Sequence, residues 1–372
     1  MVGLVWIAGA VNQEEEEEAP EAEWEEDEDW LDPVLLEKGI KDEVDFMEKI
    51  GLFKEASEKE SWEKTGAAPV STRWVSVKKT LDGGEVIVRS RLVGRDFKNK
   101  GDNMREDLFA ATPPLEALKL LFRMSLVKLV TDRDEDEIKL MFVDVRKAHL
   151  IPKCDEDVYV TVPEEFGIKK VMKLNRWLYG FRKAAHCWEE FNTKKFVEKG
   201  FVAGVASPVV FFNPQALVRC VVDGDDFTFA GKGKELVELR RWMETWCEIK
   251  LRGIMGSGPR DIKELDLLGR RLRRTKEGLE YRADAKHREI TLKEMGMDES
   301  SNAVVSPLVK EEPEEDGELM DKEMASRYRG LVARANYLAQ DRADLQFTTK
   351  EASRKMAVPQ ASDMKKIKRL AR

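Results

Sequence analysis

Histidine and cysteine are scarce in this sequence, 3 and 4 of 372 residues. The cysteines, Cys154, Cys187, Cys220 and Cys247, stand far apart with no C-x-x-C, which argues against a zinc module. Free buried thiols in a reducing compartment are expected instead. Long apolar runs are also missing. The opening MVGLVWIAGAV falls short of the about 20 residues that a membrane span needs. It has no basic n-region and runs straight into EEEEEAPEAEWEEDED, which argues against a signal peptide. No membrane partner is expected, and the chain reads as intracellular, cytoplasmic or nuclear, and not secreted. Basic residues are thin at the start: the first 70 residues hold 22 Asp and Glu against 6 Lys.

What is present is a long, highly charged chain, 42% hydrophobic and 37% charged, enough for two or three subdomains around a sizeable core. Of 72 acidic residues, 50 lie beyond residue 70, facing 58 of the 64 basic ones, so the net charge of -8 conceals a main body of +8. An anionic partner fits such a body. Residues 1–33 read as a disordered acidic tail. Residues 34–56 read as an amphipathic helix broken at Gly51. Residues 72–97 read as a hairpin turning at Asp82-Gly83-Gly84, carrying Arg73, Lys78, Lys79, Arg89, Arg91 and Arg95. A helix follows Thr112-Pro113-Pro114 with Leu115, Leu118, Leu121 and Phe122 on one face, then a loop, TDRDEDE (131–137). IKLMFVDV (138–145) is a buried strand ending at Asp144, and 183–200 is a helix closed by Gly200. The 3-4-3 spacing of Leu236, Leu239, Met243 and Trp246 predicts a helix over 234–249. Residues 265–284 read as one more hairpin, and the pattern is helical from 286 on.

The stretch CVVDGDDFTFAG (220–231) puts Asp223, Asp225 and Asp226 around Gly224, between two apolar runs. Asp and Gly tolerate the backbone of a tight hairpin, which is one reading. A metal site is the other, since a divalent cation makes adjacent carboxylates tolerable. The order strand, helix, hairpin, helix, strand is that of a split βαβ unit. It allows Asp144 to approach Asp225 and Asp226, three carboxylates for two divalent cations.

Six segments, in order, resemble the reverse transcriptases of copia-type LTR retrotransposons: RSRLVGRDF, FVDVRKAHL, LYGFRKAAHCW, VVDGDDF, CEIKLRG and YRGLVARANYLAQDRADLQF. The resemblance runs from about Trp74 onward. It implies an α+β right-hand polymerase fold: fingers and a palm with an antiparallel sheet and flanking helices over 34–285, and a helical thumb or connection over 286–372. In the family a ribonuclease H domain follows, but the 25 residues after Phe347 are too few for one, so none is expected here. It implies an RNA-directed DNA polymerase that uses two Mg²⁺ ions (Mn²⁺ as an alternative), a primed RNA or DNA template and dNTP. Asp144, Asp225 and Asp226 are the expected metal and catalytic carboxylates, with Lys250 as a basic group near the leaving phosphate. Lys78 and Arg91 are expected on the triphosphate, Val145 presenting its backbone to it, and His149, Tyr179 and Gly180 shaping the nucleotide pocket. His149 stands where the family has Phe or Tyr. Lys183, Ala185, Gly224 and Ala343 also depart from its pattern. The alternative is a decayed or co-opted element that binds nucleic acid without turnover. An RNA-templated RNA polymerase is a third reading, fed only by Gly224.

Overall fold

The computed structural model describes residues 31–80, 84–97, 108–127, 137–166, 170–298, 300–307 and 318–372. The acidic run up to Trp30, the turn residues Asp82 and Gly83, and 131–136 of the expected loop lie outside them. In chain order the elements are α1 (Pro33–Lys49), β1 (Phe53–Ala56), α2 (Glu58–Thr65), β2 (Val70–Thr80), β3 (Val86–Gly94), α3 (Leu115–Ser125), β4 (Ile138–Val145), β5 (Tyr159–Thr161), β6 (Val171–Leu174), α4 (Arg182–Glu198), β7 (Val202–Ala203), β8 (Val210–Asn213), β9 (Val218–Asp223), β10 (Asp226–Lys232), α5 (Gly233–Met243), β11 (Ile249–Met255), β12 (Glu264–Leu267), β13 (Arg270–Arg274), β14 (Leu279–Ala283), α6 (Ala285–Glu294), α7 (Lys322–Ala339), α8 (Ala343–Ser353) and α9 (Ala361–Leu370). The class is α+β. No helix among the described residues is long and apolar enough to cross a membrane.

The chain forms two compact units. The first takes in residues up to Ala111 together with Lys147–Lys194, the second Thr112–Arg146 together with Lys195–Arg372. In the first, one sheet has the order β1-β6-β5-β2-β3. Helix α1 lies close on β3: a Cβ at Gly39 would come within 2.4 Å of the Val88 carbonyl oxygen. The core gathers Met47, Leu52, Leu92, Val160, Leu174 and Trp177. The expected helix over 34–56 breaks at Gly51, at φ 61°, as its sequence suggests, but the part beyond the break is not helical: Phe53–Ala56 pairs with Leu174–Val171 as a strand. The Asp32 carboxylate accepts from the Val34 and Leu35 amides and starts α1, as an N-cap should.

In the second unit a sheet of order β11-β4-β10-β9-β8-β7 has β4 and β10 at its centre. Strand β4 is buried on both faces, which is why IKLMFVDV is apolar nearly throughout. One face presents Leu140, Phe142, Val221 and Ala230 to Leu118, Leu121 and Phe122 of α3. The other presents Phe227 and Phe229, whose rings stack on Phe196, itself edge-on to Trp242 of α5. Helix α5 ends at Met243, six residues before the expected end, because Ile249 is already paired with Val145. Residues 264–283 make three strands, not two: Leu268 and Gly269, at φ 49° and 71°, form a two-residue turn inside what the sequence suggested was one strand. Helices α7, α8 and α9 pack around Tyr328, Leu331, Val332 and Ile367. The cysteines are free. Burial raises their thiols, Cys154 and Cys187 to about 11 and Cys247 to about 12.

Candidate active site

The Asp hairpin is a two-residue turn. Asp223 opposes Asp226 across β9 and β10, with Gly224 and Asp225 between them. The positive φ of 62° falls on Gly224, as the first central position of a type II′ turn requires. The turn is pinned to the neighbouring strand: the Val145 amide donates to the Asp225 carbonyl at 2.9 Å. In the ladder, Asp226 faces Asp144 of β4, and Lys250 of β11 faces Asp144 from the other side. Directly opposed residues share a sheet face, with Cβ atoms about 4.5–5.5 Å apart. Lys250, Asp144, Asp226 and Asp223 therefore form one row across four strands, on the α3 side of the sheet. Asp225 is exposed at the turn beside them.

This row is electrostatically strained. The Asp226 carboxyl is raised to about 6, chiefly by burial, with Arg252 opposing the rise and Asp225 and Asp144 adding to it. Burial also raises Asp223, helped by Asp225. Perturbed carboxylates of this kind cluster at functional sites. Arg252 Nη1 lies 3.4 Å from Asp226 Oδ1.

Carboxylate oxygens suit Mg²⁺, which is commonly held by one or two carboxylates plus substrate phosphates and not by an all-protein cage. The opposed Asp144 and Asp226, with Asp225 at the turn, fit that mode in donor chemistry. Among the described residues no group of three or more His, Cys, Asp or Glu side chains could hold a metal ion by itself, so the expected three-carboxylate cage is not drawn together. Val145 must also be corrected. Its amide is committed to Asp225 and its side chain is fully buried, so that N–H is not available to a triphosphate.

The first unit brings together three of the expected nucleotide residues. The Arg91 guanidinium lies over the Tyr179 ring, 5.5 Å from its centroid, and His149 meets the same ring edge-on at 5.9 Å. Tyr179 is fixed by its backbone, since the Gly94 amide donates to its carbonyl at 2.7 Å. Gly180 follows at φ 81°, where a Cβ would come within 2.3 Å of the Gly94 carbonyl oxygen. The Asp96 carboxylate accepts from the Arg182 amide at 3.1 Å and so starts α4. Lys78 does not join this group. The β2–β3 register is unbroken, Val75 facing Arg91 and Lys78 facing Val88, so Lys78 and Arg91 point to opposite sheet faces. Lys79, Arg89 and Arg73 share the face of Arg91, and counting by two from Val75 would have found them.

A family model described as "Reverse transcriptase (RNA-dependent DNA polymerase)" matches residues 63–250, half of the chain. The chain belongs to this reverse transcriptase family. The match spans every residue expected in the site, from Lys78 to Lys250, and stops just short of Arg252. Relatives of this reverse transcriptase chain include the "Retrovirus-related Pol polyprotein from transposon TNT 1-94" of Nicotiana tabacum, 24% identical over 210 residues, 54% of this chain and 15% of that protein. Another is the "Retrovirus-related Pol polyprotein from transposon RE1" of Arabidopsis thaliana, 26% identical over 318 residues, 82% of this chain and 20% of that protein. The chain spans a fifth or less of the curated relatives it matches. Retrotransposon kinship, read from six motifs, is borne out. Sequence reasoning missed Arg252, and it left Asp223 out of the site although a two-residue turn places it opposite Asp226.

Proposed function

We propose that this chain is an RNA-directed DNA polymerase domain of a copia-type retrotransposon, built as a right hand. The β2–β3 unit supplies fingers, the sheet centred on β4 and β10 the palm, and residues 286–372 a helical thumb or connection. The observation that carries the reading is Asp144 set opposite Asp226, with Asp225 at a turn tied to the same strand end. Asp144 and Asp225 are the carboxylates assigned to divalent cations, with Asp226 in support. Two Mg²⁺ ions, or Mn²⁺, would activate a primer 3′-hydroxyl and neutralise the departing pyrophosphate when bound. Lys250, beside Asp144, adds a cation for the leaving phosphate. Arg91 is assigned to phosphate oxygens, which its planar fork matches. Tyr179 and His149 are assigned to the sugar and base of the dNTP, and Gly180 to the close backbone turn that seats them. The partners are a primed RNA or DNA template and dNTP.

A second reading, nucleic-acid binding without turnover, is favoured by one observation: Asp226 already carries a cation, Arg252. Primer extension separates the two. On a primed RNA template with Mg²⁺ the chain should incorporate dNTP. Asp144→Asn should lower the rate by more than about 100-fold, since a metal contributes several kcal/mol of charge stabilisation, while binding of the labelled template persists. A wild-type chain without incorporation, or a mutant with full activity, would overturn the polymerase reading.

A further inference from the structure

We infer that Arg252 is the resident counter-cation of the carboxylate row, a positioning residue that keeps Asp226 out of metal capture and so sets how tightly divalent cations bind. The inference deepens the polymerase reading and rests on it. Its origin is a β-bulge. On β11 the register runs Lys250 to Asp144 and Leu251 to Val143, then jumps to Gly253 opposite Phe142. Arg252 is the extra residue and has no opposite number on β4, so its side chain is free of the ladder's alternation. From there it reaches past β4 to Asp226 of β10, two strand spacings away, about 9.5 Å, a distance an extended Arg can bridge. Gly253 follows the bulge, where a Cβ would lie 2.5 Å from Ile262 Cδ1, so the close approach of Ile262 leaves no room for a larger residue there.

The guanidinium is held at both ends. Nη1 pairs with Asp226 Oδ1 at 3.4 Å, each side chain 24% exposed, and Nη2 donates to the Asp266 carbonyl of β12. Five donors in a rigid fork allow both contacts at once. A divalent ion captured by Asp226 would have to sit against this guanidinium, and like charges in a partly buried site repel strongly. As long as the pair stands, metal capture falls to Asp144 and Asp225. Lys250, the other cation on the row, faces Asp144 and not Asp226, so it cannot substitute.

Mn²⁺ alone is the probe. Its free aqua ion is counted by electron paramagnetic resonance in a titration of the full chain at pH 8. Arg252→Leu should tighten Mn²⁺ binding by about fivefold, the scale of one partly exposed charge pair. Arg252→Lys, which keeps the charge, should stay within about twofold of wild type. In an Asp226→Asn background Arg252→Leu should change nothing, because the carboxylate it would release is gone; a merely structural role for Arg252 predicts no such coupling. If the Leu variant loses its melting transition, Arg252→Gln, which keeps a donor for the Asp266 carbonyl, takes its place. Unchanged Mn²⁺ affinity on removing the charge, or an equal gain in the Asp226→Asn background, overturns the inference. If Asp144→Asn binds Mn²⁺ as well as wild type, it is instead the assignment of the carboxylates that fails.

Discussion

Tyr179 is held from two directions, by a cation on its face and by an imidazole at its edge. Position 149 can therefore be probed without dismantling the cluster. His149→Phe keeps a ring against Tyr179 and should leave stability within about 0.5 kcal/mol. His149→Ala should cost about 0.5–1.5 kcal/mol of edge-to-face contact. If the position gates the sugar, the Phe variant should incorporate dNTP over NTP with a higher ratio than wild type, measured by single-nucleotide extension. An identical ratio would reduce His149 to a packing residue. At this scale the sequence was a good guide to carboxylates and a poor one to their partners. Asp144, Asp225 and Asp226 announce themselves by strand ends and a turn. Arg252 does not, because a bulge cancels the period-two counting by which a reader assigns faces. His287 lies against Tyr337, ring centroids 4.4 Å apart, a contact made across sequence distance that no local pattern encodes.

Among the elements, the segment LYG shows how a loop becomes rigid. Gly94 and Gly180 each leave room for the other's neighbours: a Cβ on Gly94 would strike the Phe181 ring at 2.4 Å, and one on Gly180 the Val93 side chain at 2.4 Å. Gly180→Ala must pay a positive φ and a steric clash together, about 2–4 kcal/mol. Gly224→Ala meets nothing within 4 Å and pays conformation alone, about 1–2 kcal/mol. Urea denaturation of the two variants should rank them in that order; equal losses would mean that the Gly180 contact relaxes freely. Long elements were legible: α3 and β4 fall where apolar spacing puts them, and strands β2 and β3 lie on either side of the turn expected at Asp82-Gly83-Gly84. The short strands β5 and β6, of three and four residues, were not, since so few residues carry no period. Helix α5 was overestimated because Trp246 continues its spacing, while the pairing of Ile249 with Val145 decides where the backbone must turn extended.

Over the whole molecule, charge is divided unevenly. Residues 1–30 hold 12 acidic and no basic residues, so their removal changes the net charge from -8 to +4. A chain lacking them should bind single-stranded or primed nucleic acid more tightly at about 50 mM salt and show the difference shrinking toward about 0.5 M, where screening shortens to a few ångströms. Fluorescence anisotropy across a salt series checks this, and a salt-independent difference would assign the tail a non-electrostatic role. The way the two units share the chain also imposes a timetable. Strand β4 is made early, yet its partners β10 and β11 lie about 80 and 105 residues further on. At about 5–20 residues per second of synthesis, an apolar strand destined for the centre of a sheet spends roughly 4–16 s without the hairpin that will pair with it. Helix α3, translated just before it, is already at hand, and its Leu118, Leu121 and Phe122 can cover one face in that interval. The nascent chain is therefore most exposed to misassociation after Val145 has emerged and before Asp226 has. Helix α3 then serves as an escort to β4 before it serves as part of the core.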